Sequence, residues 1–238
     1  MIKELLGLIY PKKCILCRRF LKDIDDEYVC RLCYDKFHAE KAELLGEDQV
    51  LQVDICNELD EALDILEDRP RQIIALFPYT SEYRKAILRW KYRGVRKYAK
   101  GFAKLLVNEQ KVFDKVSVDA IIPVPLAPSR MRKRGFNQAL DLAREISKLS
   151  NIPVWDCLKR VKDTKPQAAC SREERYSNIQ GSITFLTEKC NQDVHYVVMI
   201  DDIYTTGSTI KECIKVLRKQ YAFRNAKIVA VVVGKGDF

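Results

Sequence analysis

Asp201 and Asp202 close the apolar run Val197-Val198-Met199-Ile200 and stand just before Thr205, Thr206, Gly207, Ser208 and Thr209. Paired carboxylates accept hydrogen bonds from a sugar diol. Small hydroxyls, a glycine free to turn left-handed and the unpaired N–H groups of a helix start bind a phosphate dianion. Together they describe a ribose phosphate site. Each half also has an ordinary structural use, since Ser, Thr and Asp are common turn and cap residues. The succession of strand, diacid and hydroxyl loop within thirteen residues favours a ligand over that use.

A second constellation lies near the N-terminus. Cys14-x-x-Cys17 and Cys30-x-x-Cys33 are two knuckles twelve residues apart, the spacing of a structural four-thiolate Zn²⁺ site. A segment of about twenty-five residues buries too little apolar surface to fold alone, so the metal would contribute most of its stability. A redox dithiol or incidental buried cysteines are the rival readings. Cys56, Cys157, Cys170, Cys190 and Cys213 show no ligand spacing and read as reduced, several of them in the core. His38 is at best a weak substitute ligand, and His195 reads as a surface residue.

The elements that must position these groups follow from hydrophobic periodicity. Val197–Ile200 suits a strand covered on both faces, ending at the acidic pair. Ile210, Cys213, Ile214 and Leu217 form the stripe of a helix. Upstream, Arg71–Tyr79 and Asp119–Val124 read as strands, and Phe136–Leu149 as a helix with Ala139, Leu142, Ala143 and Ile146 inward. Pro153–Trp155 and Ser182–Phe185 are weaker strand candidates, and Lys227–Val233 is a final strand. The alternation predicts an α/β fold, a parallel sheet wrapped by helices. The strand Ile121-Ile122 runs into Pro123-Val124-Pro125-Leu126-Ala127-Pro128-Ser129-Arg130, a turn stiffened by prolines that can present backbone N–H groups and Arg130 to an anion. Ser171 with Glu174 makes a capping box for a helix bearing Arg175 and Asn178.

Charge is uneven along the 238 residues, whose net charge is +9. Glu43–Asp68 holds ten acids and no Lys or Arg, and Ser81–Lys104 holds nine bases and one acid. The acidic stretch, with Leu59, Leu63 and Leu66 near helical spacing and Pro70 ending it, reads as a connector. The organisation expected is a zinc module at 1–42, an acidic connector at 43–70 and a main domain at 71–238. In the basic stretch Tyr83, Ile87 and Trp90 form the buried face of a helix, leaving Arg84, Lys85, Arg89, Lys91 and Arg93 toward solvent. Arg96, Lys97, Lys100 and Lys104 extend that charge, and Arg130, Arg132, Lys133 and Arg134 add a cluster. Such a field suits single-stranded nucleic acid, with Tyr92 or Tyr98 able to stack on bases. A solvated basic face, or one serving only the ligand's own phosphates, explains the same residues. No run of eighteen apolar residues occurs, so no membrane insertion is expected. The first ten residues lack a secretory signal, which points to the cytoplasm.

The segment Asp201–Thr209 resembles the phosphoribosyl pyrophosphate (PRPP) motif of type I phosphoribosyltransferases. Pro123-Val124-Pro125-Leu126, Arg134-Gly135-Phe136-Asn137-Gln138-Ala139, and Gln167 followed by Arg175-Tyr176-Ser177-Asn178 are similar in order and spacing to the ComF family of bacterial competence-associated proteins. The resemblance spans nearly the full chain, cysteine module included. It implies a type I phosphoribosyltransferase fold in which Thr205, Thr206, Gly207, Ser208 and Thr209 hold the 5′-phosphate and Asp201 and Asp202 the ribose hydroxyls. Pro125, Leu126 and Arg130 would hold the pyrophosphate with Mg²⁺. The segment from Thr164 to Asn178 would be a flap, with Lys165, Arg172 or Arg175 neutralising the leaving group. A flap has a physical reason, because bulk water would otherwise capture an oxocarbenium-like sugar. The family also implies single-stranded DNA during natural transformation, for which the basic residues Arg84, Lys85, Arg89, Lys91, Arg93 and Arg134 are the candidates, and a competence-machinery partner such as a DNA helicase.

Three functions compete on these grounds. One is a PRPP-dependent transferase with an unidentified acceptor. Another is a protein that binds PRPP or a nucleotide end while handling single-stranded DNA. The last is a scaffold with a disused pocket, which the intact motif disfavours. Neither a glutaminase segment nor a cysteine after Met1 is found, which disfavours glutamine-dependent amidotransfer.

Overall fold

The computed structural model describes residues 12–22, 25–45, 52–54, 72–93, 96–109, 113, 117–163, 179–186 and 194–236. In chain order the elements are α1 (Arg31–Leu45), β1 (Gln52–Asp54), β2 (Gln72–Pro78), α2 (Ser81–Arg93), α3 (Lys97–Glu109) and β3 (Ala120–Pro123). Then come α4 (Pro128–Arg134), α5 (Gln138–Ser150), β4 (Leu158–Arg160), β5 (Ile183–Phe185), β6 (Tyr196–Tyr204), α6 (Ser208–Arg218) and β7 (Lys227–Lys235). The main sheet runs in the order β1-β2-β7-β6-β3, parallel throughout except for the edge strand β1.

The two strands richest in β-branched residues occupy the interior of that sheet. Tyr196–Ile200 of β6 and Ile228–Gly234 of β7 are buried, as a strand covered by helices on both faces requires. Helix α5 buries Ala139, Leu142, Ala143 and Ile146, and α6 buries Ile210, Cys213, Ile214 and Leu217. The parallel sheet with flanking helices is therefore the architecture expected from the periodicity. Tyr83, Ile87 and Trp90 likewise form the buried stripe of α2.

Several expectations are corrected. Strand β6 does not stop at the acidic pair. It continues to Tyr204, which pairs with Lys235, because the β7 backbone beside it supplies the ladder past the charged residues. The proline segment is only partly a loop. Pro128 starts α4, a position where its missing N–H costs nothing, and Gly135 in the left-handed region ends it, its N–H donating to the Met131 carbonyl at 2.7 Å. Within the acidic stretch Gln52–Asp54 is a strand, added antiparallel to β2. Val154 forms an isolated bridge with Ile121, and β5 pairs with β4 in a separate two-stranded sheet. Leu59, Leu63, Leu66, Pro70, Cys56, Cys170, Cys190 and the first ten residues lie outside the described residues.

The cysteine segment packs directly on α2 and α3. Gly101 marks the contact, since a Cβ there would sit 2.6 Å from Ile15 Cδ1 and 2.9 Å from Tyr28 Cβ. Arg89 donates to the Tyr98 hydroxyl and to the carbonyls of Ile15 and Leu16. Lys97 donates to the Lys13 carbonyl and Lys104 to Asp26. Helix α1 adds Phe37, edge-on to Phe77, and Glu40, which accepts from the Tyr83 hydroxyl. Arg89, Lys97 and Lys104 thus satisfy oxygen acceptors of the cysteine module rather than presenting free charge to solvent. Tyr98 is 1% exposed and is not a surface for stacking.

Candidate functional site

A cleft opens at the carboxyl ends of β3 and β6, where open α/β sheets hold ligands. Pairing of Pro123 with Ile200, and a bond from Val124 N–H to the Ile200 carbonyl, set the proline turn beside the acidic pair. The lining includes Pro125, Leu126 and Arg130 from the turn and α4, Asp201 and Asp202 from β6, and Thr205, Gly207, Ser208 and Thr209 from the loop into α6. Thr206 stands next to them, its hydroxyl 3.1 Å from that of Ser208. Gly207 sits at φ 69° as the N-cap of α6, and a Cβ on it would come 2.6 Å from Tyr204 Cζ. Any other residue there would have to displace the Tyr204 ring and hold a strained left-handed φ, which glycine adopts freely. It turns the chain so that the first N–H groups of α6 face the cleft, where an anion is favoured.

Successive side chains of a strand point to opposite faces, so the two carboxylates have different surroundings. Asp202 meets α2, where Lys91 Nζ lies 2.8 Å from its Oδ1, each side chain 14% exposed. Asp201 accepts from the Asp202 N–H at 2.7 Å. Burial, and then the neighbouring Asp202 carboxylate, push it up to about 7, against the pull of Lys91 and Arg130. On the same side, burial and the charge of Arg130 pull Arg160 below its ordinary value. Four cations, Lys91, Arg130, Arg134 and Arg160, line the cleft with the two acids, an excess of positive charge that a bound anion would balance.

Among the described residues, those expected for phosphate, ribose and pyrophosphate line or adjoin one cleft. The DNA candidates separate. Arg84 and Lys85 are exposed on α2, whereas Lys91 is held in the cleft and Arg89 is bonded to the cysteine module. Both are half-buried, on different faces of α2, which corrects their expected exposure. Arg134 lines the cleft and lies over the Tyr92 ring. The Arg93 side chain, Lys165, Gln167, Arg172, Arg175 and Asn178 lie outside what the structure describes. Asn137, Gln138 and Arg160 line the cleft as well, beyond the site residues that the sequence predicts. Asn137 has a sequence signal, an N-cap residue before an amphipathic helix, and its side chain accepts from Ala139 N–H and donates to the Val124 carbonyl. Arg160 has none, because Lys159-Arg160 reads as ordinary surface charge.

Cys14, Cys17, Cys30 and Cys33 form a group whose sulfurs all lie within 4.8 Å of one another. A tetrahedron with metal–sulfur bonds of about 2.3 Å has sulfurs about 3.8 Å apart, and Cys17 Sγ and Cys30 Sγ are 3.6 Å apart. Four such thiols could hold a metal ion such as zinc. His38 is not among them, being packed on Tyr34 and Phe37 with Nε2 3.2 Å from Glu109.

No family model matches the chain. Among curated proteins it is similar to competence protein ComFC of Bacillus subtilis, 26% identical over 228 residues, which is 88% of this chain and 90% of that one. It is also similar to competence protein F of Haemophilus influenzae, 39% identical over 102 residues, covering 42% of this chain and 44% of that protein's length. Among solved structures, orotate phosphoribosyltransferase from Aeropyrum pernix is similar over 60% of this chain and 63% of that one, at 17% identity and a TM-score of 0.35. No helix among the described residues is long and apolar enough to cross a membrane.

Two outcomes are expected. The purified chain should carry about one zinc per molecule, released on denaturation, and Cys30→Ser should lower that content and the unfolding midpoint together. A carboxyl raised from about 3.9 makes the folded state bind more protons than the unfolded one. The contribution of Asp201 to stability is thus fully present below about pH 4 and is lost as the pH rises through about 7. Urea unfolding of wild type and Asp201→Asn across that range should show the difference declining toward pH 7 and flat above it.

Proposed function

We propose that this chain, a homologue of the ComF/ComFC competence proteins, binds PRPP or a related ribose phosphate with Mg²⁺ and handles single-stranded DNA during natural transformation. The observation that carries the reading is the convergence of a left-handed glycine at a helix N-terminus, two carboxylates and four cations in one cleft. In this reading the α6 N-terminus with Thr205, Thr206, Ser208 and Thr209 receives the 5′-phosphate, and Asp201 and Asp202 the ribose hydroxyls. Arg130, beside Pro125 and Leu126, faces the pyrophosphate, whose remaining charge Mg²⁺ would bridge. Buried Arg160 supports that placement, because a dianion near Arg130 and Arg160 relieves the repulsion between them.

The DNA part rests on the competence proteins' names and on exposed bases. Arg84 and Lys85 on α2, and Arg132 and Lys133 on α4, are exposed. A strand following them would be held through phosphates, with affinity set by counterion release.

Calorimetric titration of PRPP and Mg²⁺ should give saturable binding to wild type that Asp201→Ala/Asp202→Ala weakens at least tenfold; equal affinity in both would refute the ribose assignment. For DNA, the affinity of a single-stranded oligonucleotide should fall steeply with added salt. Neutralising Arg84, Lys85, Arg132 and Lys133 should flatten that slope by about 0.7 for each phosphate that is no longer neutralised. A salt-independent affinity would remove the electrostatic account.

A further inference from the structure

The first cysteine knuckle is held by α2 as well as by its own thiols. Ile15 and Leu16, the two residues between Cys14 and Cys17, turn both carbonyls toward Arg89, whose Nη2 donates to them at 3.3 and 2.5 Å. The Ile15 N–H donates instead to the carbonyl of Tyr28, two residues before Cys30, at 2.9 Å. Ile15 is fully buried between these partners. Arg89 therefore meets the knuckle in the conformation that a four-thiolate metal would fix.

Lys91 follows two residues later, about 3 Å along the axis of the same helix. Its Nζ meets Asp202 in the cleft at 2.8 Å and orients that carboxylate as an acceptor. Trp90, between the two, is 0% exposed and packs on Phe102. A turn clamped by a buried ring moves as one piece, because a close-packed interior transmits a displacement rather than absorbing it. We propose that Arg89 is a positioning residue that couples the four-thiol centre to the cleft, so that metal at the cysteines and a ribose phosphate at Asp201 and Asp202 bind with positive cooperativity. The inference rests on the ribose phosphate reading of the cleft and adds a regulation to it. Once the knuckle is no longer fixed, the guanidinium loses two aligned acceptors, and the end of α2 is free to carry Lys91 off Asp202. The coupling is reciprocal by linkage, so a ligand that needs Lys91 in place favours the metal-loaded module by the same factor. Other ties keep the module attached without Arg89. Lys97 and Lys104 bind it from α3, and Glu82 and Tyr83 meet α1 nearly two turns earlier on α2.

Calorimetric titration of PRPP with excess Mg²⁺ into zinc-loaded and zinc-stripped chain tests this, beside competition for zinc against a chromogenic chelator with and without saturating PRPP. Stripping should weaken PRPP binding about five- to a hundredfold, and PRPP should raise the zinc affinity by the same factor. Arg89→Met should keep about one zinc per molecule and bring both factors close to one. Arg89→Lys, which keeps the charge but not the planar fork, should retain a reduced factor. Equal PRPP affinity with and without zinc, or a factor undiminished in both variants, overturns the coupling and leaves the ribose phosphate site standing. A stripped chain with no remaining urea transition also overturns it, since zinc then supports the whole fold rather than the seat of α2. Failure of zinc-loaded wild type to bind PRPP overturns the site and the coupling together.

Discussion

The ion pair between Lys91 and Asp202 is the contact on which the cleft depends. Two adjacent carboxylates at the end of a buried strand repel each other and lose hydration, and without compensation they would push the strand end open. Lys91 supplies that compensation from outside the sheet, at 2.8 Å and nearly out of solvent. A buried pair of this kind adds little net stability, yet removal of one partner is costly. Its effect is positional. It fixes the end of α2 against β6, and with it the exposed face that α2 presents beside the cleft.

The same helix is held a second time, by Arg89. Three carbonyl or hydroxyl oxygens, two of them in the cysteine module, accept from this one side chain. Residues 89, 91 and 92 are separated by about 200° and 100° around a helix of 3.6 residues per turn. One therefore faces the cysteine module, the next the cleft, and the third the solvent. The close approach of Ile15 and Tyr28 to Gly101 on α3 completes the seat. A metal in the four-thiol cluster would thus stiffen a support of α2 as well as the knuckles themselves.

Much of this arrangement was legible in the sequence because it is periodic. The buried runs of β6 and β7, and the inward faces of α2, α5 and α6, announce themselves by spacing, and Gly207 among hydroxyls announces a helix start. The thiol cluster was legible for another reason, since C-x-x-C pairs have few other uses. What stayed hidden depends on long-range pairing. Gln52-Val53-Asp54 is too short to show a strand period, and its place at the edge comes from pairing with β2. Arg89 and Lys91 look like Arg84 and Lys85 in sequence, and only the docking of the cysteine module and of Asp202 separates them. Arg160 is invisible for the same reason, because its burial arises from the two-stranded β4–β5 sheet laid against the cleft.

That separation bears on how one helix could serve the two anionic ligands of the proposed function. If every base of α2 were solvated, a polyanion and a small phosphate would compete for the same charges. Instead, Arg84 and Lys85 remain on the exposed face while Lys91 is committed to Asp202. The cleft draws its remaining positive charge from Arg130, Arg134 and Arg160, on α4 and β4. On the proposed function, an anion held in the cleft would lower the field of the outer face at any point within about a Debye length of 8–10 Å. Such a coupling would be electrostatic, would require no movement of the backbone, and would weaken as salt screens it.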